Sequence, residues 1–271
     1  MLIEILDDFD LEKIALSGQC FRVRRMQDEG YRFIFGDEVL YIKETGNHKF
    51  SVSCSPDVWR NTWSFYFDLN RSYNDIFEKE CDKHQFIHEA MLCGRGLRIL
   101  RQDPWEMLIT FIISQRKTIP AISKSIEMLS SKFGHCIKTE YETLYSFPSP
   151  LEMSCATDEK LAECGLGYRT PYILDAIQRV LTGGLDLEAL LDCNDEQLLE
   201  TLQEVHGVGK KVANCVALFA YGRTACVPID IWISRAIEND CEGKSPFNLF
   251  GKNAGIIQQY VFYYEKRRQS P

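Results

Sequence analysis

Leu202-Gln203-Glu204-Val205-His206-Gly207-Val208-Gly209-Lys210-Lys211-Val212-Ala213-Asn214-Cys215 is the stretch that decides the architecture. A helix ends near Val205, two glycines flank one apolar residue, and a second helix begins near Gly209. Glycine suits such a turn because it tolerates unusual dihedrals and lets another backbone approach closely. The N–H groups exposed at the new helix's start can hold a phosphate. The same spelling also fits an ordinary turn between two helices.

Lys211 falls in the first turn of that second helix, where the positive end of the macrodipole disfavours an ammonium. If partly desolvated, such a lysine is a plausible amine nucleophile, of the kind that forms Schiff bases with carbonyl carbons. Cys215 follows four residues later, one turn along the same face. Without context, one member of a Lys210-Lys211 pair reads as solvated surface. Context comes from Ala225-Cys-Val-Pro228-Ile-Asp230-Ile-Trp232, an apolar segment that closes on Pro and then on Asp at a helix start. Asp230 there is an N-cap by its commonest role. Near Lys211 it can instead take up the amine's proton and stabilise positive charge developing on a sugar ring.

Outward from the hairpin, the chain changes character once. From Phe21 to Cys54 short alternating runs (Tyr31-Arg-Phe-Ile-Phe, Val39-Leu-Tyr-Ile-Lys, Lys49-Phe-Ser-Val-Ser) are separated by turn-like Asp28-Glu-Gly30 and Thr45-Gly-Asn, which predicts an antiparallel sheet. After about residue 100 the period is helical. Asp103-Pro104-Trp105-Glu106 reads as an N-cap, a Pro at the first helical position and an acid at the third. Further helix starts stand at Thr157, Thr170-Pro171 and Asn194, with stops at Gly134 and Gly165. The fold class is α+β: a domain over 1–100, an N-terminal antiparallel β-sheet with flanking helices, then a mostly helical region over 101–271 with its hairpin at about 197–221.

Composition sets outer limits. With 271 residues and 45% hydrophobic content the chain can bury a sizeable core, which excludes disorder. A net charge of -8 (31 basic against 39 acidic residues) argues against a globally basic nucleic-acid surface, so any phosphate grip must be local. Eleven cysteines are scattered singly from Cys20 to Cys241 with no C-x-x-C pair, which fits reduced thiols. The acidic N-terminus is unlike a secretory signal, and the longest apolar run, Leu108 to Ile113 around Thr110, is far short of a membrane span. A soluble, unexported, monomeric protein is expected.

The run Gly207-Val-Gly-Lys-Lys211-Val-Ala-Asn-Cys215 followed by Val227-Pro-Ile-Asp230 resembles the helix-hairpin-helix, Gly/Pro-Asp signature of DNA glycosylases, whose catalytic Lys and Asp stand nineteen residues apart. Ser17-Gly18-Gln19-Cys20-Phe21-Arg22, Leu100-Arg-Gln-Asp103-Pro104, Leu166-Gly-Tyr168-Arg169 and Gly255-Ile-Ile-Gln258-Gln-Tyr-Val-Phe262 resemble segments of its 8-oxoguanine branch, in the same order. The resemblance implies a bifunctional glycosylase and lyase acting on damaged double-stranded DNA, in the cytoplasm at the nucleoid of a bacterium or in a eukaryotic nucleus. Lys211 is then the nucleophile and Asp230 its acidic partner. The Gly18 carbonyl accepts the N7–H that distinguishes 8-oxoguanine from guanine; read alone, Gly18 is a turn glycine. Cys215 and Phe262 stack on the two faces of the flipped base and Gln258 bonds its Watson–Crick edge; by periodicity Phe262 is a core residue.

On the DNA side the resemblance makes Tyr168 the wedge in the vacated stack and Arg169 a contact to the orphaned partner base, from an exposed Tyr-Arg loop. Gly207 and Gly209 take the phosphate. Carbonyls of Gln203, Val205 and Val208 hold a monovalent cation, potassium or sodium. Related enzymes with an iron–sulfur cluster place four cysteines after the Asp, whereas only Cys241 lies beyond Asp230, so none is expected. Departures from the animal and fungal pattern put Arg116 in the hole left by the base, Ala121 where an arginine reads cytosine, and Trp232 where a histidine contacts the lesion's phosphate. Two rivals stay open: a glycosylase for another lesion, and a non-catalytic DNA-binding module.

Overall fold

Alternation of apolar and polar residues becomes a sheet where hairpin turns supply the register. In the computed structural model, which describes residues 1–268, β1 (Leu2–Glu4), β2 (Arg24–Arg25), β3 (Tyr31–Phe35), β4 (Glu38–Gly46) and β5 (Lys49–Val52) form one sheet in the order β1-β5-β4-β3-β2. Ile42 pairs with Val52 and Ile3 with Phe50, so Leu40, Ile42, Phe50 and Val52 face one buried side. The three predicted runs are β3, β4 and β5. The edge strands β1 and β2 are too short to carry a period and form by pairing onto their neighbours.

The helices begin where capping residues permit. Apart from two single turns at Pro56–Val58 and Ser64–Tyr66, the α-helices are α1 (Leu11–Leu16), α2 (Tyr73–Glu80), α3 (Gln85–Gly94), α4 (Pro104–Ser114), α5 (Ile119–Phe133), α6 (Asp158–Ala162), α7 (Thr170–Leu181), α8 (Asp195–Gln203), α9 (Lys210–Phe219), α10 (Ile231–Asp240) and α11 (Ala254–Arg268). Asp103 accepts from the Glu106 N–H at 2.7 Å to open α4. Thr157 and Asn194 cap α6 and α8 in the same way, and Gly134 closes α5. The architecture is α+β, with the five-stranded sheet N-terminal and a mostly helical body that also carries a short antiparallel strand pair, Cys136–Lys138 with Thr143–Tyr145.

By internal contacts the chain divides into two compact units, one made of Met1–Phe33, Leu40–Arg101 and everything from Gly222 on, the other of Ile34–Val39 and Gln102–Tyr221. This partition groups the C-terminal segment with the N-terminal one, unlike a linear division at residue 100.

In the first unit the centre is the guanidinium of Arg98, which has no solvent exposure. It donates to Asp7 Oδ2 at 2.9 Å and to the carbonyls of Phe67, Asp8, Asp68 and Arg71, and it lies over the Tyr73 ring. All its N–H directions are thereby used, which is what lets an arginine be buried. α11 is buried on every side from Ala254 to Val261 and packs on α3. In the second unit α4 packs on α9, and α8 on α9. No helix among the described residues is long and apolar enough to cross a membrane.

Candidate active site

The hairpin is built as its spelling requires at one glycine and not at the other. The Val208 N–H donates to the Val205 carbonyl at 3.0 Å, and Gly207 sits at φ +81° with the Tyr172 ring 2.3 Å from where a Cβ would stand. A side chain there is excluded twice, by dihedral and by collision. His206 lies edge-on to the same ring at 4.5 Å, and its N–H donates to Asp175 at 2.8 Å. Gly209 is extended at φ -94° and a Cβ would meet nothing within 4 Å. Its dihedral is open to any residue, so of the two reasons for glycine only close approach applies there.

Gly209 is the N-cap of α9 and supplies no side-chain bond, leaving the helix start to its backbone N–H groups. Lys210 is exposed. Lys211 is half-buried, with Nζ 5.3 Å from the centroid of the Phe111 ring, itself stacked on Phe219 at 5.5 Å. The two adjacent lysines are therefore not equivalent: one is solvated, the other lies along an aromatic wall. Cys215, one turn on, is 3% exposed.

Two loops of the same unit carry the residues assigned to DNA. Arg116 is exposed at φ +52°, a left-handed conformation uncommon for a side-chain-bearing residue. Its neighbours hold it there: Gln115 Nε2 donates to the Gly207 and Ile112 carbonyls, and Lys117 Nζ donates to Ser125 Oγ at 2.6 Å and to the Gly165 carbonyl at 2.7 Å. Burial, with Arg169 nearby, holds the Lys117 amine below its ordinary pKa. Tyr168 is half exposed as expected. Arg169 is not exposed: it is 5% accessible and its guanidinium donates to the Leu166 and Gln115 carbonyls. The expectation of an exposed Tyr-Arg pair is thus corrected for the arginine, because two loop carbonyls supply acceptors that make its burial tolerable.

In the other unit Asp230 is the N-cap of α10. One carboxylate oxygen, Oδ1, accepts from both the Trp232 and Ile233 N–H groups at 3.0 Å. Trp232 is half-buried beneath Arg235, and Ile229 and Ile231 on either side of the aspartate are 40% and 60% exposed. Gly18 sits at φ +78° in the turn after α1, so it needs the left-handed region. Gln258 is 3% exposed with its Oε1 lacking a partner, and Phe262, one turn along α11, is half-buried.

The comparisons with known proteins show the family to which the chain belongs. Residues 2–108 match the model of the 8-oxoguanine DNA glycosylase N-terminal domain. A structure described as MBOgg1 in complex with a low affinity DNA ligand superposes with a TM-score of 0.94 at 35% identity, covering 99% of this chain and 96% of that one. The chain belongs to the 8-oxoguanine DNA glycosylase/AP lyase family of the helix-hairpin-helix superfamily. The Clostridium acetobutylicum 8-oxoguanine glycosylase/lyase, bound to double-stranded DNA with cytosine opposite 8-oxoG, superposes at a TM-score of 0.92 with 32% identity over 100% of this chain and 99% of that one. The Saccharomyces cerevisiae N-glycosylase/DNA lyase is 37% identical over 65% of this chain, which spans about half (50%) of that protein's length.

Read as a member of this 8-oxoguanine glycosylase family, the chain has further residues that matter and that local pattern does not single out. Gln19 Nε2 donates to Ser17 Oγ and the Arg98 carbonyl while its Oε1 accepts from the Leu100 N–H at 2.7 Å. Gln259 Nε2 donates to the Ser17 carbonyl at 2.7 Å. Gly18 is therefore pinned on both flanks by buried amides. The available signal was a glutamine pair in a helix with no polar face: such side chains must find partners inside.

Proposed function

We propose that this chain is a bifunctional DNA glycosylase and AP lyase that excises 8-oxoguanine from duplex DNA. The observation that carries the reading is Lys211, half-buried over Phe111 at the start of α9, beside a solvated Lys210. Half-burial along the Phe111 ring sets this amine apart from its solvated neighbour and holds it in one place at the helix start, and the form that attacks is the neutral amine.

Neutral Lys211 Nζ forms a bond to C1′ as the C1′–N9 bond breaks and the base leaves with its electron pair. The nitrogen gives up its proton, the sugar opens, and a Schiff base remains. The imine acidifies the C2′ proton; its removal breaks the C3′–O3′ bond and nicks the strand 3′ to the site. Asp230 stabilises the cationic sugar. The Gly18 carbonyl accepts the lesion's N7–H. Guanine offers a lone pair there, and two facing acceptors in a dry pocket cost roughly 1–3 kcal/mol. Cys215 and Phe262 stack on the base, and the unpartnered Oε1 of Gln258 suits it to the base edge. Tyr168 is the wedge, Arg116 fills the hole, Arg169 supports the wedge from within its loop through the Leu166 and Gln115 carbonyls, and Gly207, Gly209 and Trp232 complete the DNA-binding set.

The Val205 carbonyl already accepts the Val208 N–H yet keeps a second lone pair, so with those of Gln203 and Val208 it fits a hard monovalent cation, potassium or sodium. Such an ion would add positive charge beside the phosphate. No iron–sulfur cluster is needed. The enzyme works as a monomer wherever its DNA lies, in a bacterial cytoplasm or a eukaryotic nucleus. Borohydride reduces an imine irreversibly, so it should trap wild type on 8-oxoguanine DNA. Lys211→Gln should abolish trapping and Lys210→Gln should not; the reverse result would move the nucleophile by one residue.

A further inference from the structure

We infer that Lys117 is a positioning residue for the wedge: its ammonium ties the Gly165 end of the Gly165–Arg169 loop to α5 and so helps to fix where Tyr168 stands. This rests on the glycosylase reading above. The loop's own bonds, from the Gly165 N–H to the Ala162 carbonyl and from the Arg169 N–H to the Leu166 carbonyl, close only single turns at its two ends. Gly165 and Gly167 both lie at positive φ (+70° and +58°), conformations glycine adopts with little penalty and leaves as readily. Only Leu166 between them is fully buried.

Rigidity comes instead from two struts that converge from the Gln115–Lys117 segment. On the N-terminal side of the loop, Lys117 Nζ spans from Ser125 Oγ on α5 to the Gly165 carbonyl, at 2.6 and 2.7 Å. On its C-terminal side, the Gln115 carbonyl accepts from Arg169 and, at 3.4 Å, from the Tyr168 hydroxyl. Gln115 Nε2 in turn donates to the Gly207 carbonyl, which ties this platform to the turn before Lys211.

An ammonium committed to two neutral oxygens, with no carboxylate partner among the described residues, is poorly explained as a stabilising ion pair. Its geometry is that of a clamp. A wedge is useful only where the base must be pushed out of a stacked duplex. Chemistry at a site that has already lost its base needs none.

The test therefore compares two reactions on one protein. Wild type and Lys117→Met are assayed under single turnover on 8-oxoguanine duplexes and for strand cleavage at preformed abasic sites. A loose wedge should slow excision by about 10-fold or more, the scale of a small misplacement, with cleavage at abasic sites changed less than threefold. Lys117→Arg, which can still reach two oxygens, should recover most of the excision rate. In a Tyr168→Ala background Lys117→Met should cost nothing further. An equal loss in both reactions, or additive effects with Tyr168→Ala, would overturn the assignment. Failure of wild type to excise 8-oxoguanine would instead overturn the glycosylase reading itself.

Discussion

Gln259 and Ser17 lie 242 residues apart in sequence, and the Gln259 amide donates to the Ser17 carbonyl at 2.7 Å, which holds the peptide unit immediately before Gly18. Both partners are buried, so removing the donor strands an acceptor away from water, at about 1–3 kcal/mol. If the Gly18 carbonyl reads the base as proposed, this bond makes selection depend on backbone geometry held from α11.

Gln259→Leu should therefore loosen selection before it abolishes chemistry. The ratio of 8-oxoguanine to guanine excision should fall by about 10-fold, since each 1.4 kcal/mol of lost discrimination is one factor of ten, with abasic-site cleavage near wild type. A variant that keeps the full ratio would show that Gly18 is held adequately by Gln19 alone, or does not read N7.

Asp230 is a helix cap in the structure and an acid in the proposed mechanism, and one substitution separates the two roles. Its Oδ1 accepts both the Trp232 and Ile233 N–H groups, and an asparagine Oδ1 can do the same. Asp230→Asn should keep the melting temperature within about 2 °C, the scale of well under 1 kcal/mol in a chain this long, while base release slows by roughly 10²-fold. Full activity in a normally stable variant would leave Asp230 as a cap only.

What could be read in the sequence follows how local the cause is. The start of α4 is written in Asp103-Pro104, because capping is settled within one turn. The hairpin turn is written in Gly207 for the same reason, although the Tyr172 ring that also demands glycine comes from thirty-five positions earlier. Arg169 is different. Its burial depends on the Gln115 carbonyl, 54 residues away, and no feature of Leu166-Gly-Tyr-Arg announces that acceptor. Gln258 and Gln259 are adjacent and equally buried, and only the tertiary structure says which one braces Ser17 and which keeps a free oxygen.

The N-terminal scaffold should carry a measurable pH dependence through Asp7. Burial raises its pKa, but the Tyr73 and Asn74 N–H groups and the Arg98 guanidinium outweigh this and hold the carboxyl below its ordinary value of 3.8. A carboxylate depressed by folding contributes stability that is complete above the unfolded pKa and is lost as pH falls through the folded one. Asp7→Asn should lower the melting temperature at neutral pH by roughly 2–4 °C for each 1 kcal/mol lost, and wild type and variant should converge as the pH falls from 3.8 through the lower folded-state pKa. Parallel curves across that range would mean that Asp7 does not titrate with folding.

Opposite-base selectivity is the most exposed consequence of the departures at Arg116 and Ala121. Ala121 is half-buried in the first turn of α5 and carries no donor, whereas an arginine can give two hydrogen bonds to the O2 and N3 acceptors of cytosine, a pair adenine does not offer. Arg169 is committed to the Leu166 and Gln115 carbonyls, which leaves Arg116 as the exposed guanidinium in the adjoining loop. A residue that fills a hole by size and charge discriminates less than one that pairs with a base edge. Each lost discriminating contact is worth about 1–3 kcal/mol. Ala121→Arg should accordingly raise the ratio of excision opposite cytosine to that opposite adenine by about 10-fold, and Arg116→Ala should slow excision opposite both bases to a similar degree. Single-turnover excision on the two duplexes measures this directly. If wild type already discriminates steeply and Arg116→Ala erases the difference, Arg116 reads the partner base itself and the alanine at 121 is immaterial.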